Sequence, residues 1–267
     1  MSNLHDESMP LKTEFKDFSS MKREGETVDD VFGGQIRIIQ KERGYRFSID
    51  AYLLAHFVCL KKNDRVLDMG TGSGVIAIIV AHRWPHVKVI GVDVQEDMVD
   101  MAQRSVDLND LCDRIEIRRG NIRETESFFD HQSFDVVIFN PPYRKLKSGR
   151  MNRDYQKSVA RHEIEGSLRD FLAASAFVLK TSGRVYIIYP ASRTVELICQ
   201  MRYASIEPKR MKIVHSHECF QGEFVLVEGI KEGREELEIL PPLFIYMENG
   251  VYSEAMTRLF RELSECR

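Results

Sequence analysis

Asn140-Pro141-Pro142-Tyr143 directly follows the apolar run 134–139. Two consecutive prolines remove two backbone donors and fix φ. The carbonyls of Asn140 and Pro141 are then left to face a ligand. Asn140 Oδ1 and the Pro141 carbonyl can each accept one hydrogen of a planar NH2 group, such as that of adenine, cytosine or a carboxamide. An amine held this way meets an electrophile in line, and its nitrogen is favoured as pyramidal in the transition state. Tyr143 can stack on a flat base, an interaction worth ~1–3 kcal/mol.

A second constellation lies upstream. Asp68-Met69-Gly70-Thr71-Gly72-Ser73-Gly74 ends one apolar stretch and opens another. Glycines there let the backbone turn tightly and approach a ligand closely. Asp93 comes nineteen residues after Gly74, at the end of Ile90-Gly91-Val92-Asp93. A carboxylate at such a strand end can accept hydrogen bonds from both ribose hydroxyls. Together these features predict an adenosine-containing ligand. The loop alone leaves the ligand open, since Gly72-Ser73-Gly74-Val75-Ile76-Ala77 also satisfies the dinucleotide pattern G-x-G-x-x-A. Asp68 argues against a dinucleotide, because its charge suits an amino end and repels a pyrophosphate.

Positioning these groups requires strands that end together. The patterning predicts strands over 65–68, 87–93, 115–118, 134–139 and 184–189, alternating with helices over 74–83, 95–109, 168–180 and 194–203. Such alternation gives parallel strands with right-handed crossovers, a doubly wound α/β sheet. Residues 210–215 and 224–229 read as two strands with no helix between them, hence an antiparallel pair at one sheet edge. A short hairpin is expected within 28–40. A helix is expected over 49–60, with Ser48 or Asp50 as its N-cap. Residues 1–27 read as a mobile polar tail, and 28–267 as one domain.

Composition narrows the function. Lys and Arg number 38 against 41 Asp and Glu, a net charge of −3, so nucleic-acid binding must rest on a local patch. One exists at 144–161, where Arg144, Lys145, Lys147, Arg150, Arg153, Lys157 and Arg161 face only Asp154, a local +6. Beside the tetrad, that loop can neutralise phosphates, and Tyr155 and Met151 within it can touch an extruded base. The longest apolar run, 75–81, is far too short for a membrane span. Five scattered cysteines, none in a C-x-x-C pair, suit reduced thiols in the cytoplasm. His215 and His217 lack a second ligand cluster, so no metal is expected. His162 is given no catalytic role, since the acceptor's proton can leave to water.

The frame Asp68-x-Gly70-x-Gly72-x-Gly74 matches the motif of the S-adenosylmethionine (AdoMet)-dependent methyltransferase fold. With the tetrad added, the chain resembles the amino-directed methyltransferases, which act on adenine N6, cytosine N4 or glutamine N5. The resemblance spans about 31–252. The stretches 44–55, 160–164 and 241–246 (Pro-Pro-Leu-Phe-Ile-Tyr) are similar to the bacterial valine-tRNA adenine-37 N6-methyltransferases. That resemblance implies a seven-stranded, Rossmann-like sheet, AdoMet as cofactor and tRNA as partner. It implies cofactor contacts from Asp68, Gly70, Thr71, Gly72, Gly74, Asp93, Val94, Asn121, Ile122 and Asn140. Phe47, Ser48 and Asp50 would line the methionyl side, although the same three also read as a capped helix start. Asn140, Pro141, Pro142 and Tyr143 would be catalytic, and Arg144, Lys145, Lys147, Arg150 and Arg153 would hold RNA. Two features depart from the family: the turn at 229–233 leans acidic, and its motifs do not account for the long polar N-terminal tail. A protein-glutamine N5-methyltransferase, an adenine N6-methyltransferase acting on rRNA or DNA, and an RNA-binding or cofactor-sensing module without chemistry remain as rival readings. Oligomeric state is unread.

Overall fold

The computed structural model describes residues 21–43, 46–142 and 166–266. Tyr143, the basic loop at 144–161, His162 and the Gly44-Tyr45 pair lie outside them. Five parallel strands form the centre of one sheet: β3 (Arg65–Met69), β4 (Lys88–Asp93), β5 (Ile115–Arg119), β6 (Phe134–Phe139) and β7 (Leu179–Pro190). β8 (Ile206–His215) and β9 (Gly222–Lys231) complete it, and β9 runs antiparallel to both β7 and β8. The seven long strands lie in the order β8-β9-β7-β6-β3-β4-β5. Two short strands, β10 (Glu238–Ile239) and β11 (Leu243–Phe244), add to β8. The expected doubly wound sheet with its antiparallel pair at one edge is therefore present.

Burial explains the strand sequences. β6 reads Phe-Asp-Val-Val-Ile-Phe, and its five apolar residues are all fully buried. From Val136 to Phe139 successive side chains alternate between faces, while Phe134 precedes the shift in β6–β7 register. Val136 and Ile138 enter the apolar layer shared with α1 (Ile49–Phe57) and α2 (Val75–Arg83). Phe134, Val137 and Phe139 enter the opposite layer, under α4 (Leu168–Val178) and α5 (Thr194–Tyr203). A strand covered on both faces must be apolar throughout. α2 is buried along nearly its whole length for the same reason, because α1 and α6 (Glu254–Ser264) cover its outer side.

Two differences from the sequence reading have local causes. β7 starts at Leu179, directly where α4 ends, instead of after a helix reaching Lys180. Ser182 takes φ 62°, and the β6–β7 register shifts between Phe134 and Val136. This bulge lets the strand begin at Leu179 and Lys180, two good helix formers that precede the helix-disfavouring Thr181-Ser182-Gly183. The second difference is α6, for which no helix was expected. Its Met256, Leu259 and Leu263 recur on one face and are buried against α1 and α2, a 3.6-residue pattern visible in the sequence. Ser253 caps it, accepting from Met256 N at 3.1 Å while donating to the Phe244 carbonyl at 2.6 Å. Ser253→Ala is expected to lower stability by about 1 kcal/mol, measured by urea unfolding.

The hairpin β1 (Glu26–Val31) and β2 (Ile36–Lys41) forms a separate two-stranded sheet that opens two residues before the expected domain start. It docks on α3 (Glu96–Leu108) through polar bonds: Ile39 N donates to Ser105 Oγ at 2.9 Å, and Asn109 brackets both backbone groups of Arg37.

Candidate active site

Sheet order creates the site. The chain leaves β3 toward β4 and β5, then returns to place β6 on the other side of β3. In open α/β sheets, ligands bind outside the carboxyl ends of the strands at such a reversal. The glycine loop follows β3, Asp93 ends β4, Asn121 lies just beyond β5, and Asn140 follows β6. All four sequence-predicted elements thus come to one rim.

The glycine loop is folded for close approach. Gly70, Gly72 and Gly74 take φ values of 69°, 56° and 82°. Gly70 N and Thr71 N both donate to the Val92 carbonyl, at 2.8 and 3.0 Å. Gly72 N donates to Asp93 Oδ2 at 2.9 Å, while Gln95 N donates to Asp93 Oδ1 at 2.9 Å. Asp93 therefore ties the loop to the start of α3 as well as facing the rim. Burial raises its pKa against the lowering effect of the Gln95 and Gly72 amides. Gly74 is the N-cap of α2, and a Cβ there would sit 3.2 Å from Ala102 Cβ. Gly74→Ala combines left-handed strain with that contact and is expected to cost about 1–2 kcal/mol, read as a lowered melting temperature.

Asp68 is the most unusual group. It is 1% exposed, and its Oδ2 accepts from Thr71 Oγ1 at 2.7 Å. Its Oδ1 is buried without a hydrogen-bonded partner. Burial pushes its pKa up to about 7, opposed by the Thr71 hydroxyl and the Ala77 amide and reinforced by Asp93. The Ala77 amide approaches the carboxylate without meeting Oδ1 in hydrogen-bonding geometry. An orphaned buried acceptor is costly unless a ligand donor supplies the missing bond.

On the other wall, Asn140 Nδ2 donates to Asp50 Oδ2 at 2.9 Å. Asp50 lies in the first turn of α1. Ser48 holds the N-cap position without making a cap bond, and its hydroxyl donates to Asp50 Oδ1 at 2.5 Å. Phe47 packs edge-on against Tyr52, which packs in turn against Phe260 of α6. The segment entering α1 is braced by the hairpin. Phe47 N donates to Gln40 Oε1 at 3.1 Å, and Arg46 reaches Asp29, Thr27 and the Lys41 carbonyl.

Asn121 caps a 3-10 turn (Ile122–Ser127), its side chain accepting from Arg123 N at 3.1 Å. One lone pair of its carbonyl is thereby engaged. Ile122 is buried in the layer beneath, and Val94 is half-buried beyond Asp93. Pro141 and Pro142 continue the rim after Asn140. Tyr143, Arg144, Lys145, Lys147, Arg150 and Arg153 lie outside the described residues.

Sequence reading missed several supporting residues. Gly91 makes room for Thr71, since a Cβ there would lie 2.9 Å from Thr71 Oγ1. A glycine inside a strand is a readable sign of such an approach. Gln40 and Arg46 carried no local signal, because their role depends on hairpin docking. Among the described residues, no cluster of three or more His, Cys, Asp or Glu could hold a metal. His217 instead packs against Phe220 and Tyr246. No described helix is long and apolar enough to cross a membrane.

The sequence profile of the methyltransferase small domain matches residues 48–202, from the N-cap of α1 through α5. The chain belongs to that family. Three curated relatives share the name tRNA1(Val) (adenine(37)-N6)-methyltransferase. The one from Porphyromonas gingivalis is 33% identical over 133 residues, 49% of this chain and about half (51%) of that protein's length. The one from Dyadobacter fermentans is 24% identical, covering 86% of this chain and 92% of its own length. The Vibrio campbellii protein is 26% identical, over 85% and 92%. Among solved structures, a predicted O-methyltransferase from Agrobacterium tumefaciens superposes with a TM-score of 0.66 at 21% identity, covering 82% of this chain and 98% of that one. This likeness shows the Rossmann-like methyltransferase fold.

Proposed function

We propose that the protein transfers a methyl group from AdoMet to the exocyclic N6 amine of an adenine in tRNA, beside the anticodon of a valine tRNA. One observation carries this reading. Asn140, followed by two prolines, stands directly beyond β6, across the strand-order reversal from the glycine loop and the orphaned oxygen of Asp68.

The residues present fit AdoMet. Asp68 Oδ1 is a buried acceptor suited to an ammonium group. The left-handed glycines admit a close ligand, and Asp93 stands where ribose hydroxyls are received. Phe47 and Ser48 would border its methionyl side, with Thr71, Val94, Asn121 and Ile122 completing the wall. When bound, AdoMet supplies a methyl group on a positively charged sulfur. The chain's own part is to present the acceptor. Asn140 Oδ1 and the Pro141 carbonyl each take one amino hydrogen, which draws lone-pair density onto nitrogen and aims it. Tyr143 stacks the extruded base, and the 144–153 basic residues grip the flanking phosphates. The amine's surplus proton leaves to water, so no strong base is needed. The name shared by the three relatives supports tRNA as partner. In this reading the chain from the β1–β2 hairpin onward, opening at Glu26 where residue 28 was expected, forms one cytoplasmic methyltransferase domain.

The test is mass spectrometry of nucleosides from unmodified total tRNA treated with protein and AdoMet. N6-methyladenosine at a single site in a valine tRNA is the expected product. Transfer to a release-factor glutamine, or none to RNA, would overturn the reading.

A further inference from the structure

An amide has two ends of nearly equal size and opposite hydrogen-bonding role. If Asn140 turned its NH2 toward the acceptor amine, donor would meet donor and the amine would not be held. Asn140 alone does not choose between these orientations. We infer that Asp50 makes the choice: it is the positioning residue that sets which end of the Asn140 amide meets the acceptor. This rests on the amine chemistry proposed above.

The geometry is a short relay from α1 to the end of β6. Asp50 Oδ2 lies 2.9 Å from Asn140 Nδ2, across 90 residues of sequence. A carboxylate accepts and does not donate. The amide end turned toward Asp50 therefore has to be NH2, and the opposite end is Oδ1. The carboxylate is itself oriented. Its Oδ1 receives the Ser48 hydroxyl at 2.5 Å and the Ala51 backbone N–H at 3.0 Å, which leaves Oδ2 turned to the amide. Asp50 is 7% exposed, so water competes poorly for that bond. The helix carrying it is clamped by α6 through the Tyr52–Phe260 contact, ring centroids 5.5 Å apart. Family resemblance assigns Asp50 to the cofactor's methionyl side. The hydrogen bond instead gives it work on the acceptor side, and makes Ser48 a helper of Asp50 in place of a helix cap.

The test compares Asp50→Asn, which keeps an acceptor, with Asp50→Leu, which keeps none. AdoMet affinity is read by calorimetry, and kcat with unmodified total tRNA. Hydrogen exchange of the Asn140 side-chain NH2 is followed by 15N NMR, its signal identified by loss in Asn140→Ala. Asp50→Leu is expected to lower kcat by about thirtyfold, as for a lost hydrogen bond to a charged group, with KM for tRNA and AdoMet Kd little changed. Asp50→Asn is expected to recover most of that kcat. The Asn140 NH2 should exchange slowly in the wild type and in Asp50→Asn, and fast in Asp50→Leu. An unprotected NH2 in the wild type overturns the inference, as does full kcat in Asp50→Leu. Loss of AdoMet affinity in both variants also overturns it, since the carboxylate would then serve the cofactor by its charge. A protected NH2 that responds to Asp50→Leu, in a protein that methylates no RNA, leaves the clamp standing and removes the tRNA reading.

Discussion

Asn140→Ala is expected to lower kcat for methyl transfer by about 10²–10³-fold, the scale seen when one preorganised donor or acceptor is lost from a reacting centre. AdoMet affinity should stay within a few-fold, because the glycine loop, Asp68 and Asp93 form the other wall of the crevice and keep their own hydrogen bonds. The split separates this role from simple damage to the fold. Loss of the side chain removes an acceptor for the amine and also the donor that Asp50 Oδ2 holds. Asn140→Asp sharpens the argument. It keeps an oxygen of similar reach but sets a second carboxylate beside Asp50, and like charges at that distance disfavour each other. It should therefore fail almost as badly as alanine, with the remaining activity rising at lower pH as one of the pair takes a proton. Single-turnover kinetics with saturating AdoMet reads both variants. Undiminished transfer by Asn140→Ala would end the assignment of the tetrad.

Much of this site is legible in the amino-acid sequence, for a physical reason. Its parts sit at strand ends, and strand ends are marked by local chemistry: a glycine loop after β3, a carboxylate closing β4, prolines after β6. The parallel order then brings those ends to one rim without further information. The parts that are not legible are held across the chain. Asp50 finds Asn140 only because α1 lies over the end of β6, and Gln40 supports Phe47 only because the hairpin docks on α3. Pairing that depends on tertiary docking leaves no local trace. α6 is different. Its apolar spacing stands in the sequence, diluted by the charged residues Glu254, Arg258, Arg261 and Glu262 interspersed along it. Asn121 shows a third case. Its place after β5 is readable, while its capping of the next turn follows from a three-residue geometry that competes with the expected cofactor contact for the same oxygen.

Asp68 carries the largest expected effect on cofactor binding, and its sign reverses between free and bound protein. In the free protein, burial lifts its pKa to about 7, well above the ~3.9 of an unfolded chain. A raised acid pKa means the folded state holds the proton more tightly. The stability it contributes is full below the unfolded pKa and is lost as pH rises through about 7. Asp68→Asn removes that loss, so the free variant should melt higher than wild type at pH 8. Cofactor binding runs the other way. An ammonium group prefers the ionised carboxylate, and protonation of Asp68 competes with it. The AdoMet Kd of the wild type should therefore fall about tenfold between pH 5.5 and 7.5, and Asp68→Asn should flatten that slope. Asp68→Ala, which also strands the Thr71 hydroxyl, should weaken binding by about 10–100-fold at pH 7.5, the range of one charge-assisted hydrogen bond. Calorimetry across that pH range, paired with thermal melts of the free proteins, reads both signs in one set of samples. A wild-type affinity indifferent to pH would mean that the buried oxygen of Asp68 does not receive the ligand's amine.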